Sequence, residues 1–324
     1  MRYEPVYNVV KETGLAYSTD SLIRYNSTAG GYISILLKFL FDTGKIDHTI
    51  SFERSGIRFY PKIISSFNEY NNIGSLYQEI DIIHFIKQNL HNIKGKIAIT
   101  LLPCQVNIIR SIAKQNNIDI IIISLVCSAQ MKLECTQSYF DLEKIDIKEV
   151  SNFRYRGFGW PKYINIEYKN GKIFQEKTLW NEMFHSYLFH EKRCLKCTDT
   201  FGIKSDIAVS DPWLGKMMKE ERIGQSIVYI FSDLGLQIHK ELKQSKYICY
   251  KILEKNKAIS SQYHTMEKKY YLRKSKLLRK IIRLLNQPLY KSIILLDKRL
   301  LKIHSKVINK IIRVYIKLQK KGNK

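Results

Sequence analysis

Apolar residues recur at helical spacing just after Ser27-Thr28-Ala29-Gly30-Gly31. Ile33, Leu36, Leu37 and Leu40 share one face, and Gly44 supplies a stop. Residues 48–53 and 58–65 read as short strands, and residues 81–91 as a helix with Ile82, Ile83, Phe85, Ile86 and Leu90 on its apolar side. A sharper unit follows. Residues 96–102 (KIAITLL) are a buried strand, Pro103-Cys104-Gln105 a turn, 106–115 a helix, and 118–126 (IDIIIISLV) a second strand ending at Cys127. Strands without polar alternation are buried on both faces, so strand, helix, strand in this form predicts a parallel βαβ unit.

Further along, residues 163–169 and 172–176 alternate around Asn170-Gly171, a strong hairpin turn. Residues 178–189 read as a helix in which His185 is exposed. Cys194-Leu195-Lys196-Cys197 follows in a loop close to His190, and 206–210 is a short strand leading to Asp211-Pro212-Trp213. Strands at 226–231 and 247–251, with a helix between them, complete the body. From about Lys268, Leu277, Leu278, Ile281, Ile282 and Leu285 alternate with Lys and Arg. Pro288 breaks the run, and a second helix carries Leu296, Leu300, Ile303, Val307, Ile311 and Val314. The pattern predicts an α/β protein with a mixed sheet, βαβ units, a small β-hairpin and C-terminal basic helices. Residues 1–264 form the α/β body and 265–324 a basic amphipathic tail.

Charge reinforces that division. The chain carries +25, of which +17 falls in residues 266–324, where 19 Lys and Arg face only Glu267 and Asp297. Such a block suits anionic lipid, nucleic acid or an acidic protein, or is simply a solvated helix. Tyr270 and Tyr271 alone make no stacking platform, which disfavours nucleic acid, so a membrane surface is the better expectation. The start, MRYEPVYNVVKETG, has no apolar central region, and no run of about 18 apolar residues occurs. The chain is expected in the cytoplasm, peripheral at the inner face of the membrane if the tail docks there. Six cysteines in that compartment are thiols or metal ligands before they are disulfides.

Cys194 and Cys197 form the only C-x-x-C, a spacing that fits zinc, an iron–sulfur cluster or a redox dithiol. Cys104 and Cys127 each follow directly on a parallel strand, and ligands of open α/β sheets collect outside the carboxyl ends of such strands. Cys104 also opens a helix, whose positive end favours a thiolate. Four converging thiols match a Cys-four site, either 4Fe-4S or zinc. Cys135, in a helix, and Cys249, in an apolar strand, read as structural.

An ordered set of stretches resembles the beta subunit of the deazaflavin (coenzyme F-420) hydrogenases and dehydrogenases. Relatives of that family include ferredoxin-dependent chlorophyllide reductases and proteins of bacterial polysaccharide gene clusters. The stretches are Tyr17-Ser18-Thr19-Asp20 with residues 27–31, Gly74-Ser75-Leu76-Tyr77, Pro103-Cys104-Gln105 and Leu125-Val126-Cys127. After them come Phe153-Arg154-Tyr155-Arg156 with Gly159-Trp160, Arg193 to Cys197 with Asp199, and Ser205-Asp206-Ile207 to Asp211-Pro212-Trp213.

The resemblance implies an iron–sulfur flavoprotein oxidoreductase. A 4Fe-4S cluster would sit on Cys104, Cys127, Cys194 and Cys197 beside a non-covalent FAD, with coenzyme F-420 a further candidate. A ferredoxin or similar donor would supply electrons, and a small-molecule or sugar substrate, in surface-polysaccharide biosynthesis, would receive them. It brings Ser27, Thr28, Gly30 and Gly31 near the flavin, where glycines and a helix start suit a pyrophosphate. Arg154 and Arg156 then read as anion-binding, against a bland reading as surface salt bridges. Asp199 and Asp211 read as structural and Trp160 as core.

Three features depart from the family pattern. No Cys precedes Cys104, so the N-terminal ferredoxin-like segment of many relatives is expected to be absent or lost. Leu101-Leu102 stands for their Gly-Thr, and Ser128-Ala129 for their His-Gly. The residues point to no proton donor. The alternative of another class is a zinc-stabilised binding or scaffold protein that works through its tail.

Overall fold

The computed structural model describes residues 4–161, 164–176 and 178–321. Eleven strands occur among them: β1 (Glu12–Ser18), β2 (His48–Ser55), β3 (Arg58–Ile64), β4 (Lys96–Leu101), β5 (Asp119–Leu125), β6 (Val150–Arg154), β7 (Ile164–Tyr168), β8 (Ile173–Glu176), β9 (Ile207–Ser210), β10 (Ser226–Ile230) and β11 (Ile248–Ile252). Eight form one sheet in the order β11-β1-β10-β9-β5-β4-β2-β3, and β6-β7-β8 form a small antiparallel sheet. Within the large sheet β2, β4, β5 and β9 are mutually parallel, and the remaining pairs are antiparallel. The α/β class and the βαβ unit stand as the sequence predicts.

The central strands are apolar throughout because both faces are covered. Ala98, Ile121, Ile123, Ile207 and Val209 pack under the helix Tyr32–Asp42, against Tyr32, Leu36 and Leu40. The alternate residues Ile97, Ile99, Leu101 and Ile122 meet Val106, Ile109 and Ile112 of the helix Pro103–Gln115 on the other side. Each strand therefore spends its two-residue period on two cores. A third core, rich in aromatic rings, joins the small sheet to the helices Leu133–Glu143 and Thr178–His185 through Tyr139, Phe153, Tyr155 and Trp180.

Several boundaries differ from the sequence reading. The helix beginning at Thr178 stops at His185, because the Ser186 hydroxyl donates to the Met183 carbonyl and Tyr187 takes a positive φ of 62°. β5 ends at Leu125, two residues before Cys127. β1 has no sequence prediction behind it, and it lies between β10 and β11. Cys249 is exposed on the edge strand β11, whereas Cys135 is fully buried. Tyr163 lies outside the described residues.

The basic C-terminal segment folds onto the body. Its helices are Tyr263–Lys274, Lys276–Leu285, Pro288–Ile294 and Lys298–Lys321. Tyr271, Leu272, Leu278, Ile282, Ile308 and Ile312 form one cluster with Tyr187 and Leu195, and Leu301 enters the aromatic core. No helix among the described residues is long and apolar enough to cross a membrane.

His239 gives the core a pH dependence. It is fully buried on the helix Asp233–Gln244, with Nδ1 2.8 Å from the Tyr32 hydroxyl. Burial, with help from Lys243, pushes its pKa down from 6.5 to about 4, and Glu12 opposes the shift. The unfolded chain therefore takes up the proton first. Stability from this residue is complete above the unfolded value of 6.5 and drains away as pH falls toward 4. Urea unfolding of the His239→Gln variant should show a flatter pH dependence over that window, by on the order of 2 kcal/mol. Identical slopes for variant and parent would remove His239 from the account.

Candidate functional site

The parallel strands deliver their carboxyl ends to one edge of the sheet, and the chemistry-bearing residues gather there. β4 runs out at Leu101, and Pro103 opens the next helix at a position where a missing N–H costs nothing. The Gln105 side chain accepts from Leu102 N at 2.9 Å and closes that turn, which sets Cys104 in the first turn of the helix. Past β5, Val126 N donates to Val209 O at 2.9 Å and Cys127 N donates to Thr200 O at 3.0 Å. Cys127 is thereby tied to the loop that follows Cys197.

Cys194 and Cys197 lie on and just after a single tight turn, Lys192–Lys196, with Cys197 N donating to Cys194 O at 3.3 Å. Gln130 N, three residues past Cys127, points at Cys194 Sγ from 3.4 Å. Asp199 accepts from Phe201 N and Gly202 N, both at 2.9 Å, and holds the loop in shape, a structural role as expected. Lys269 arrives from the C-terminal helix: its buried ammonium lies 3.4 Å from Cys197 Sγ and 3.0 Å from Asp199 O.

The four thiols come close enough to act on one another. Burial pushes the Cys127 thiol up to about 12; Lys269 opposes this, while Cys194, Cys104 and Cys197 add to it. Burial likewise raises Cys104 and Cys194. Without a bound cation Cys104, Cys127 and Cys194 are thus held as neutral thiols. As folded here, no three Cys, His, Asp or Glu side chains among the described residues are gathered tightly enough for one metal ion.

Beside the thiols opens a cavity of about 950 Å³, and Cys127 is part of its wall. That volume is at the upper end for small-molecule and cofactor sites. Ser27, Thr28 and Gly31 line it, whereas Gly30 does not. Both glycines have φ of 75°, and a Cβ on Gly30 would stand 2.7 Å from the Gln225 main chain, so only glycine fits there. The Asn72 amide donates to Ser27 Oγ at 2.9 Å, and the Ser75 hydroxyl to Thr28 Oγ1 at 3.0 Å.

The two arginines part company. Arg156 reaches the cavity wall, but its guanidinium forms a fork with Asp211 at 2.7 and 3.0 Å, and Trp160 Nε1 donates to the same carboxylate at 2.9 Å. Arg154 lines a separate pocket of about 320 Å³. It donates to the main-chain carbonyls of Asn26, at 2.7 Å, and Asn72, and covers the Phe158 ring. Trp160 is fully buried.

Sequence reasoning missed several members. Lys268 and His185 also line the cavity. Contrary to the exposed reading, His185 is pushed down to about 4 by burial, with Lys268 and Arg313 adding to it. Burial also lowers Lys268. His190 is pushed down to about 4 by burial as well. Lys268 and Lys269 lie in a basic block whose composition gives no hint that two of its members turn inward.

Comparison with known proteins decides the family. Residues 94–256 match the sequence model for the C terminus of the coenzyme F420 hydrogenase/dehydrogenase beta subunit, and residues 14–87 match that for its N-terminal region. The chain belongs to the coenzyme F420 hydrogenase/dehydrogenase beta subunit family. The fold agrees with a chain of the xenon-derivatised F420-reducing nickel–iron hydrogenase complex from Methanosarcina barkeri. That likeness has a TM-score of 0.63 at 16% identity and covers 81% of this chain and 90% of that one. No curated protein matches the sequence. As an F420 hydrogenase/dehydrogenase beta subunit relative, the chain is of an oxidoreductase, electron-transfer type. The two matched segments hold all four cysteines discussed above, as well as residues 27–31.

Proposed function

We propose that the chain is an iron–sulfur flavoprotein oxidoreductase that passes electrons from a ferredoxin-like donor to an organic substrate. A sugar or polysaccharide precursor is the proposed substrate class. What supports the reading is that Cys127, on the wall of a cofactor-sized cavity, lies within electrostatic reach of Cys104, Cys194 and Cys197, which come from distant stretches of the chain.

Four cysteine thiolates are a donor set that either a 4Fe-4S cluster or zinc takes, and the cofactor-sized cavity beside Cys127 favours the redox cluster. When bound, the cluster supplies one-electron transfer and the flavin supplies two-electron chemistry. Lys269 gives the thiolates a positive neighbour. Ser27, Thr28, Gly30 and Gly31 offer hydroxyls and close main-chain approach for the flavin or for coenzyme F420. Arg156 lines the cavity while its N–H groups stay with Asp211, and Arg154 holds the main chain at Asn26 and at the wall residue Asn72.

Residues 1–264 are the proposed catalytic body. Residues 265–324 are more than an appendage, since they contribute Lys268 and Lys269 to the site. The test is anaerobic reconstitution followed by iron, sulfide, zinc and flavin analysis. Iron and sulfide in equal amounts, with a flavin absorbance that reduced ferredoxin bleaches, is the expected result. Zinc without acid-labile sulfide would turn the assignment to a scaffold role.

A further inference from the structure

The C-terminal helices bury one apolar row on the body and expose another. On Lys298–Lys321 the inward row is Leu301, Ser305, Ile308, Ile312 and Ile316. Leu300, Ile303, Val307, Val314 and Leu318 repeat at three, four and seven residues along a different face, and all are exposed; Leu318 keeps 60% of its surface. Next to them runs a row of exposed bases, Lys302, Lys306, Lys310, Arg313 and Lys317. The helix carries nine Lys and Arg and no acidic residue. The helix Lys276–Leu285 repeats the plan: Leu278 and Ile282 are buried, Leu277 and Leu284 exposed, and Lys276, Lys280 and Arg283 lie alongside. Between the two, Leu289 and Leu296 are 71% and 80% exposed.

We infer that this surface docks the protein on an anionic lipid bilayer, with the exposed apolar row entering the headgroup boundary and the bases meeting lipid phosphates. Apolar and cationic rows side by side on a helix of about 36 Å are what an interfacial helix presents. Charge argues for this occupant over the others. A second copy of the chain would bring an equally basic helix against this one. A nucleic acid would meet the bases and leave the leucine and valine row in water. The inference does not depend on which cofactor the cavity holds.

The experiment is co-sedimentation of the full chain with vesicles of phosphatidylcholine alone and with one-third phosphatidylglycerol. Binding to the anionic vesicles only is expected. The double variant Ile303→Glu/Val307→Glu should weaken binding about tenfold or more. Both sites are solvent-facing, so its unfolding midpoint should be unchanged. Leu300→Ser/Leu318→Ser, which adds no charge, serves if the first variant is unstable and should also weaken binding. Three results would overturn the inference: failure of the full chain to bind anionic vesicles, equal binding by chain and variants, or a dimer in gel filtration that either variant converts to monomer.

Discussion

Cys127→Ser should emerge from anaerobic reconstitution with its iron and sulfide at background, although the chain remains folded. The hydroxyl is close to the thiol in size but ionises far less readily, so it is a poor ligand for iron. The main-chain bond from residue 127 to Thr200 survives the change, because it involves only the backbone N–H. Loss of iron would thus report ligation rather than collapse. Two cysteines give internal controls. Cys249→Ser, exposed on the outer strand, should load fully and unfold like the parent. Cys135→Ser should also load fully but lose stability, because its sulfur is completely buried and lies 3.8 Å from the Met131 sulfur. Cys194→Ser should behave as Cys127→Ser does. The reading fails if Cys127→Ser and Cys194→Ser retain the parent's iron while the Cys249 variant loses it. Flavin content adds a second readout. Cys127 lines the cavity, whereas Cys104, Cys194 and Cys197 do not, so Cys127→Ser is the variant in which loss of the two cofactors should be most closely linked.

The residues show why part of this site could be read in advance. β4 and β5 are legible because continuous burial leaves unbroken apolar runs, and the end of each run marks the sheet edge at Cys104 and Cys127. β1 was not legible. Its residues ETGLAYS include a glycine and little apolar bulk, and they become a strand by pairing with β10 and β11, more than 200 residues away. Lys269 was invisible for a similar reason. Its contact with Cys197 spans 72 positions, and nothing local separates it from the solvated lysines around it. The basic helices were ambiguous rather than silent. A stripe of Leu and Ile among lysines looks the same whether it faces a protein core or a lipid surface, and here the helices carry one row of each kind. The helix end at His185 depended on a serine side chain competing for a main-chain carbonyl, a choice the apolar spacing does not register.

The pair Arg156–Asp211 is the place where stability and ligand binding can be pulled apart. Burial disfavours the Arg156 charge, and Asp211, together with Tyr77, more than offsets that cost. Their side chains are only 11% and 16% exposed, and Trp160 donates to the same carboxylate. Asp211→Ala would strand a guanidinium and an indole N–H together, and the expected loss is about 3–5 kcal/mol in urea unfolding. Arg156→Met/Asp211→Leu should recover much of that loss, because it leaves no buried charge unpaired and only the Trp160 indole N–H without its acceptor. The double variant also asks what Arg156 does for the cavity it lines. If the carboxylate claims the guanidinium fully, flavin affinity in the double variant falls by less than about tenfold. If the arginine also holds a cofactor phosphate, the recovered fold will bind flavin far more weakly than that, since a bidentate phosphate contact is among the stronger single interactions available. The fork geometry favours the first outcome. Both guanidinium ends already have carboxylate partners at 2.7 and 3.0 Å, so a phosphate would have to compete with Asp211 for the same N–H groups.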